Sequence, residues 1–171
     1  MLIVMAGLPG AGKSTVAERL GRTLPAPVVS VDPIEAAMWR AGVARDQPTG
    51  LAAYVVAEAV ADGMLALGQD VIIDAVNAVE PARRQWRSLA ERRGVPVAFI
   101  EVVCSDPRVH RQRLEHRSRD VEGFDEPSWQ AVQQRQTEFE PWTEYRLVLD
   151  SIADLDSNLA EALEFLSKYG S

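Results

Sequence analysis

The sequence predicts an α/β domain, a small doubly wound parallel sheet covered by helices on both faces, and three observations carry that prediction. Short apolar runs of strand length alternate with longer segments of helical period. Prolines open several of the helical segments and glycines follow their ends. A glycine-rich loop connects the first apolar run directly to a helix.

The predicted strands are Leu2 to Ala6, Val28 to Val31, Val71 to Asp74, Val97 to Val103 and Tyr145 to Leu149. Helical signals fit Lys13 to Leu24, Pro33 to Ala41, Leu51 to Leu67, Pro81 to Arg93, Pro107 to Arg117, Pro127 to Glu140 and Leu155 to Lys168. Pro33, Pro81, Pro107 and Pro127 stand where a first helical turn accepts proline, and Asp32, Asp106 and Glu126 precede three of them as candidate caps. Gly42, Gly68 and Gly94 fall where helices would end in a left-handed cap. The 171 residues contain no repeat, low-complexity tract or linker, so one domain spanning 1–171 is expected.

Composition narrows the class. Hydrophobic residues make up 47% and charged residues 25%, the usage of a globular domain. The net charge of -7 and pI near 4.9 disfavour a long nucleic-acid partner, because the molecule as a whole repels phosphate polymers. Met1 to Ala6 is too short and lacks the basic leader of a signal peptide, and no run reaches the roughly 18 uninterrupted apolar residues of a membrane span. A cytoplasmic protein with no membrane association is expected, without a long exposed apolar helix to receive a dedicated partner. Cys104 ends an apolar run and reads as core. His110 and His116 lack metal-ligand spacing, and the four tryptophans lie on or near predicted helices as packing residues, with Trp39 singled out as a possible pocket wall.

The chemistry begins at Gly7-Leu8-Pro9-Gly10-Ala11-Gly12-Lys13-Ser14, which satisfies G-x-x-x-x-G-K-[ST] between a predicted strand and a predicted helix. Glycines permit a concave turn whose N–H groups point at phosphate oxygens, and the helix adds its positive dipole end. Lys13 is the candidate bridge between the β- and γ-phosphates of a nucleoside triphosphate, and the Ser14 hydroxyl the candidate Mg²⁺ ligand. Thr15 either supports the loop or is an ordinary helix residue.

In an open parallel sheet, ligands gather outside the carboxyl ends of the strands. Asp32 follows the second strand there, and Asp74 ends the third. One carboxylate can orient an acceptor hydroxyl and take its proton while another stands on the metal side, so Asp32 is assigned to the acceptor and Asp74 to Mg²⁺, directly or through water. Asn77 is close enough in sequence to contact the acceptor, or it is a turn asparagine. Around Pro107, Arg108, Arg111, Arg113, Arg117 and Arg119 crowd one helix and its exit, and Arg113 and Arg117 share a face at spacing four. Such a face can stack one guanidinium on a nucleobase and set another against charge developing on a transferred phosphoryl group. The segment from about 108 to 126, with Gly123 near its end, is the candidate lid; Gly42 to Gly50 is a second candidate substrate loop.

Together the glycine loop, Val31-Asp32, Val71-Ile72-Ile73-Asp74-Ala75-Val76-Asn77 and the Arg113/Arg117 pair resemble the small P-loop kinases of the AAA_33 type, a group that includes the 5′-kinase domain of polynucleotide kinase. The chain is similar, more loosely, to chloramphenicol phosphotransferase, gluconate kinase and shikimate kinase. The resemblance implies a three-layer P-loop NTPase sandwich with strand order 2-3-1-4-5, ATP and Mg²⁺ as cofactors, Asp32 as acceptor base, and Arg113 and Arg117 in a mobile lid. One departure stands out. Polynucleotide kinases of this group place an arginine one turn after the acceptor aspartate, whereas this chain has Glu35. An acid there repels a nucleotide 3′-phosphate and suits hydroxyls or an amine. The expected function is ATP-dependent phosphoryl transfer to a small-molecule acceptor, a sugar-like metabolite or an antibiotic. The alternatives are a polynucleotide or nucleoside 5′-kinase and a nucleotide-gated regulatory module.

Overall fold

The computed structural model describes residues 1–116 and 127–169. Five parallel strands, β1 (Leu2–Ala6), β2 (Val28–Ser30), β3 (Val71–Asp74), β4 (Val97–Val103) and β5 (Arg146–Asp150), form one sheet of order β2-β3-β1-β4-β5. Every residue of β1 and β3 is buried, as expected of strands covered on both faces. The register sets Met5 beside Asp74 and Asp74 beside Ser30, so the ends of three strands share one edge.

Helices α2 (Val31–Arg40), α3 (Thr49–Ala66) and α4 (Glu80–Arg93) cover one face, where Ala53, Ala57 and Ala61 bring α3 close to the sheet beside Trp86 and Leu89. Helices α1 (Lys13–Thr23) and α7 (Leu155–Ser167) cover the other, with Val16, Leu20, Phe165 and Leu166 in the core. Helices α5 (Pro107–Glu115) and α6 (Trp129–Thr137) lie near the strand ends, α5 capped by the Asp106 carboxylate and α6 by the Ser128 hydroxyl. The buried Arg83 of α4 donates to the carbonyls of Glu140 and Pro141 at 3.3 Å and stacks 4.3 Å from the centre of Trp142, tying the chain after α6 to the sheet.

Two expectations change. The second strand stops at Ser30, whose extended backbone serves as the N-cap of a helix that starts at Val31, so Asp32 lies in the first turn of α2. And α3 does present an exposed apolar face, with Leu51 67% and Leu67 79% exposed and Val55, Val56 and Val60 between them. Its 18 residues have a mean hydropathy of 1.3, enough by length and composition for a membrane span. However, Ala53, Ala57, Ala61 and Leu65 are packed in the core, and Glu58 and Asp62 pair with Arg92 and Arg93 of α4. It is a core helix with one uncovered side.

Candidate functional site

The glycine loop is shaped by what surrounds it. Gly7 has φ 143, and a Cβ there would lie 2.3 Å from the Val102 carbonyl oxygen, so close approach of β4 admits only glycine. Gly12 is the left-handed N-cap of α1. The Gly7 N–H donates to the Val76 carbonyl at 3.1 Å, and the Ala11 N–H to that of Leu8 at the same distance. Pro9 and Ala11 are buried beneath the loop, and the Pro9 carbonyl accepts from Nε2 of the buried His110 at 2.8 Å. Lys13 is 2% exposed and makes no hydrogen bond or ion pair among the described residues.

A cavity of about 620 Å³ opens on this loop, lined by Gly10, Gly12, Ser14, Thr15, Arg113 and Ser151. Thr15 is thus a cavity residue at the surface end of the first turn. Arg113 is fixed by hydrogen bonds from its guanidinium to the Ser151 hydroxyl at 2.7 Å and the Ser151 carbonyl at 3.0 Å. The Ser105 hydroxyl and the Ile152 N–H hold the Asp150 carboxyl below its usual range, and Asn158 donates to the Asp150 carbonyl at 2.9 Å, so the β5–α7 turn is a built wall of this cavity. Arg117 and the rest of the predicted lid beyond His116 lie outside the described residues up to Glu126; α5 supplies its first part.

A second cavity of about 400 Å³ lies on the α2–α3–α4 side, lined by Asp32, Glu35, Leu51, Tyr54, Arg135 and Glu138. Glu35 is set in place by a relay: the Trp39 indole N–H donates to the Thr49 hydroxyl at 3.1 Å, and that hydroxyl donates to Glu35 Oε1 at 2.7 Å. Thr49 is buried, so this carboxylate is oriented before any ligand arrives. Burial pushes the Tyr54 phenol up to about 12, with Asp32 and Asp74 adding to the rise, so Tyr54 stays protonated. Its oxygen accepts from the Asn77 N–H at 3.1 Å.

At the end of β3, Asp74 accepts from the Ser30 hydroxyl at 3.1 Å on one oxygen, while its other oxygen is buried without a partner among the described residues. That orphaned oxygen fits a group that completes its bonding through water and a hydrated cation.

Two of the nominated side chains are engaged by other groups of the chain. Trp39 does not line the acceptor-side cavity: its N–H is committed to Thr49, and its ring face carries the Arg45 guanidinium at 4.4 Å. Asn77 is fully buried in a left-handed conformation, φ 50, with its amide donating to the Met5 carbonyl at 2.7 Å and accepting from the Trp86 indole at 2.9 Å. Conversely, Tyr54, Arg135, Glu138, Ser151 and His110 were not singled out by the sequence for these places. Tyr54 sits inside an apolar helical run, and the α6 residues reach the cavity only through tertiary packing.

A parallel sheet in this strand order, with a glycine loop joining its central strand to the first helix, defines a P-loop kinase-like fold. The AAA_33 family model, described as an AAA domain, matches residues 2–141, and the chain belongs to that family. Three solved structures show the fold's breadth. Kti12 from Chaetomium thermophilum in complex with ADP-AlF3 is 21% identical with a TM-score of 0.75, over 99% of this chain and 98% of that one. A gluconokinase from Sinorhizobium meliloti is 22% identical with a TM-score of 0.67, over 97% and 91%. The Mycobacterium tuberculosis APS kinase CysC in complex with AMPPNP and APS is 18% identical with a TM-score of 0.68, over 97% and 96%. No curated protein matches the sequence.

Proposed function

We propose that this chain is an ATP-dependent phosphotransferase that moves the γ-phosphoryl group to a hydroxyl of a small-molecule acceptor, a sugar-like metabolite or an antibiotic, in the cytoplasm. The observation that carries the reading is the presence of two cavities, one on the glycine loop and one on the α2–α3–α4 side. One is lined by loop residues and Arg113, the other by Asp32 and the pre-oriented Glu35. Donor and acceptor would enter from opposite sides and meet at the ends of β1 and β3.

The backbone N–H groups of Leu8, Gly10 and Gly12 frame the phosphates in a loop shaped by Gly7, Pro9 and Ala11, Lys13 carries the countercharge, and Arg113 flanks the nucleotide. Proline contributes its carbonyl geometry only, having no N–H. Asp32 takes the acceptor's hydroxyl proton as the acceptor oxygen bonds to the γ-phosphorus and the bond to the β,γ-bridging oxygen breaks, releasing ADP. Ser14 and, through water, Asp74 are the residues that would hold Mg²⁺, which supplies charge neutralisation on the phosphates. Arg117 is proposed to close over the transferred group. Among the described residues, Asp32, Glu35 and Glu138 against Arg135 give the acceptor cavity's lining a net negative charge, which favours hydroxylated or amine-bearing acceptors over phosphorylated ones.

The test is a screen of sugars, amino sugars, antibiotics and 5′-hydroxyl oligonucleotides with labelled ATP, comparing wild type with Asp32→Asn. A labelled small molecule whose labelling falls by roughly 10²- to 10⁴-fold in the variant supports the assignment. Labelling of oligonucleotides alone would move it to a 5′-kinase, and turnover of ATP unchanged by Asp32→Asn with no labelled acceptor overturns it. The exposed face of α3 favours a nucleotide-gated binding module as the second reading, in which triphosphate is bound and no acceptor is labelled.

A further inference from the structure

The exposed side of α3 is the largest feature that the proposed chemistry leaves unused. On a helical projection the buried residues Ala53, Ala57, Ala61 and Leu65 occupy one side, and the opposite side is centred on Ala59. The row Leu51, Val55, Ala59, Gly63, Leu67 runs along that side at spacing four, with Val56 and Val60 beside it and all of them exposed. No charged residue interrupts the row. Glu58 and Asp62 flank it, and both are held by Arg92 and Arg93 of the same chain.

By size the row is complementary to its own reverse. About Ala59 it is large, medium, small, smallest, large, so reversing it sets Leu51 against Leu67, Val55 against Gly63, and Ala59 against itself. We infer that this face joins two copies of the chain across a two-fold axis at Ala59, with the two α3 helices antiparallel. Each Val55 then fills the space over the other copy's missing Gly63 side chain, where a Cβ would meet nothing within 4 Å in the single chain. Aligning the two spacing-four rows requires a crossing of roughly 50°, the commonest class between helices. Such self-complementarity is what an isologous interface demands.

Area and charge favour a second copy over other occupants. The exposed apolar surface of the row and its neighbours is on the order of 500 Å², large for a monomer's biggest patch. Two copies would bury on the order of 1,000 Å² in total, the lower bound for a specific interface, which predicts a reversible dimer that forms with rising concentration. A bilayer is the poorer fit, because α3 carries no basic residue and the chain's net charge of -7 is repelled by anionic headgroups. Leu51 belongs both to this row and to the lining of the 400 Å³ cavity, so the second copy would shape that cavity's outer edge.

Analytical ultracentrifugation of the full chain across a micromolar concentration series tests this. Wild type should shift from monomer to dimer, and Val55→Glu and Leu67→Lys, both at exposed positions, should remain monomeric at every concentration with unchanged far-UV circular dichroism. In a Cys104→Ser background, Ala59→Cys should form an intermolecular disulfide rapidly under mild oxidation, whereas Glu18→Cys on exposed α1 should not. A wild type that stays monomeric throughout overturns the inference. So does a dimer indifferent to both substitutions, one that fails to cross-link through position 59, or co-sedimentation with uncharged lipid vesicles that Val55→Glu abolishes while the free protein stays monomeric.

Discussion

The Trp86 indole N–H donates to Asn77 Oδ1 at 2.9 Å, and the same Asn77 side chain donates to the Met5 carbonyl at 2.7 Å. Both residues are fully buried, and Met5 lies two positions before the glycine loop. With its N–H donated to the Tyr54 phenol, Asn77 joins β1, α3 and α4 through one residue. Asn77→Leu leaves the Trp86 N–H and the Met5 carbonyl unsatisfied and forces a branched side chain into a positive φ. The expected loss is about 3–5 kcal/mol in urea unfolding. Trp86→Phe should cost less, and the double variant less than the sum, because both remove the same bond.

The pH dependence follows from Tyr54. Its folded value near 12 exceeds the unfolded value near 10, so the neutral phenol is favoured in the fold. The corresponding stability is fully present below pH 10 and is lost as pH rises through 12. Across that window the gap between wild type and Tyr54→Phe should narrow by about 2–3 kcal/mol, measured by denaturant unfolding at successive pH values. A gap constant with pH would mean the phenol ionises as it does in the unfolded chain.

Repeating patterns and local rules made the frame legible beforehand. Strand runs, proline starts and glycine stops gave all twelve elements to within a few residues, because periodicity and caps act over one or two turns. The glycine loop was legible for the same reason. Asp32 could be nominated because it follows a strand, and Glu35 because it stands where the resembled polynucleotide kinases place an arginine, but the Trp39–Thr49–Glu35 relay spans two helices, and no spacing rule announces it. Asn77 read either as an acceptor contact or as an ordinary turn asparagine. Its burial depends on where α4 sets Trp86, which is a tertiary fact. The apolar side of α3 was hidden for the opposite reason: a helix of hydrophobic residues all round looks buried until its neighbours prove to cover one side only.

The relay makes Thr49 a positioning residue for the acceptor. Thr49→Val keeps shape and burial but removes the hydroxyl that orients Glu35 and receives the Trp39 N–H. For an amine- or hydroxyl-bearing acceptor, KM should rise about tenfold, equivalent to ~1.4 kcal/mol, with KM for ATP unchanged. Glu35→Gln should produce a similar rise that is larger for amine-bearing than for neutral acceptors. Equal effects on both nucleotide and acceptor KM would show that the relay supports the fold and not the pocket.

Lys13 separates binding from folding. Its side chain is buried and the ammonium has no hydrogen-bond or ion-pair partner among the described residues, so removing that ammonium breaks no contact of the free protein. Lys13→Met should therefore melt no lower than wild type without ligand, while losing the thermal shift that added MgATP gives wild type and at least about 10²-fold of any transfer rate. Normal transfer by this variant would remove the basis for placing phosphates at the loop.

His110 links the glycine loop to the helices that follow β4. Because the Pro9 carbonyl can only accept, the ring carries its proton on Nε2, and the ring packs edge-on against Trp129 of α6 with centroids 5.2 Å apart. The same ring and the Leu114 side chain would each lie 3.3 Å from a Cβ on Gly10, so together they fill the space behind the loop's turn. His110→Phe retains that bulk and the aromatic contact but leaves the buried Pro9 carbonyl without its donor, a cost of about 1–3 kcal/mol. Trp129→Leu leaves the hydrogen bond and removes the edge-on contact, at about 0.5–1.5 kcal/mol beyond lost burial. If the loop's shape depends on the hydrogen bond, His110→Phe weakens triphosphate binding by more than its loss of stability alone explains, whereas Trp129→Leu lowers the melting point with near-normal affinity. Calorimetric titration of both variants with a non-hydrolysable triphosphate, beside their unfolding curves, reads the two quantities separately, and equal affinities would confine His110 to holding up the fold.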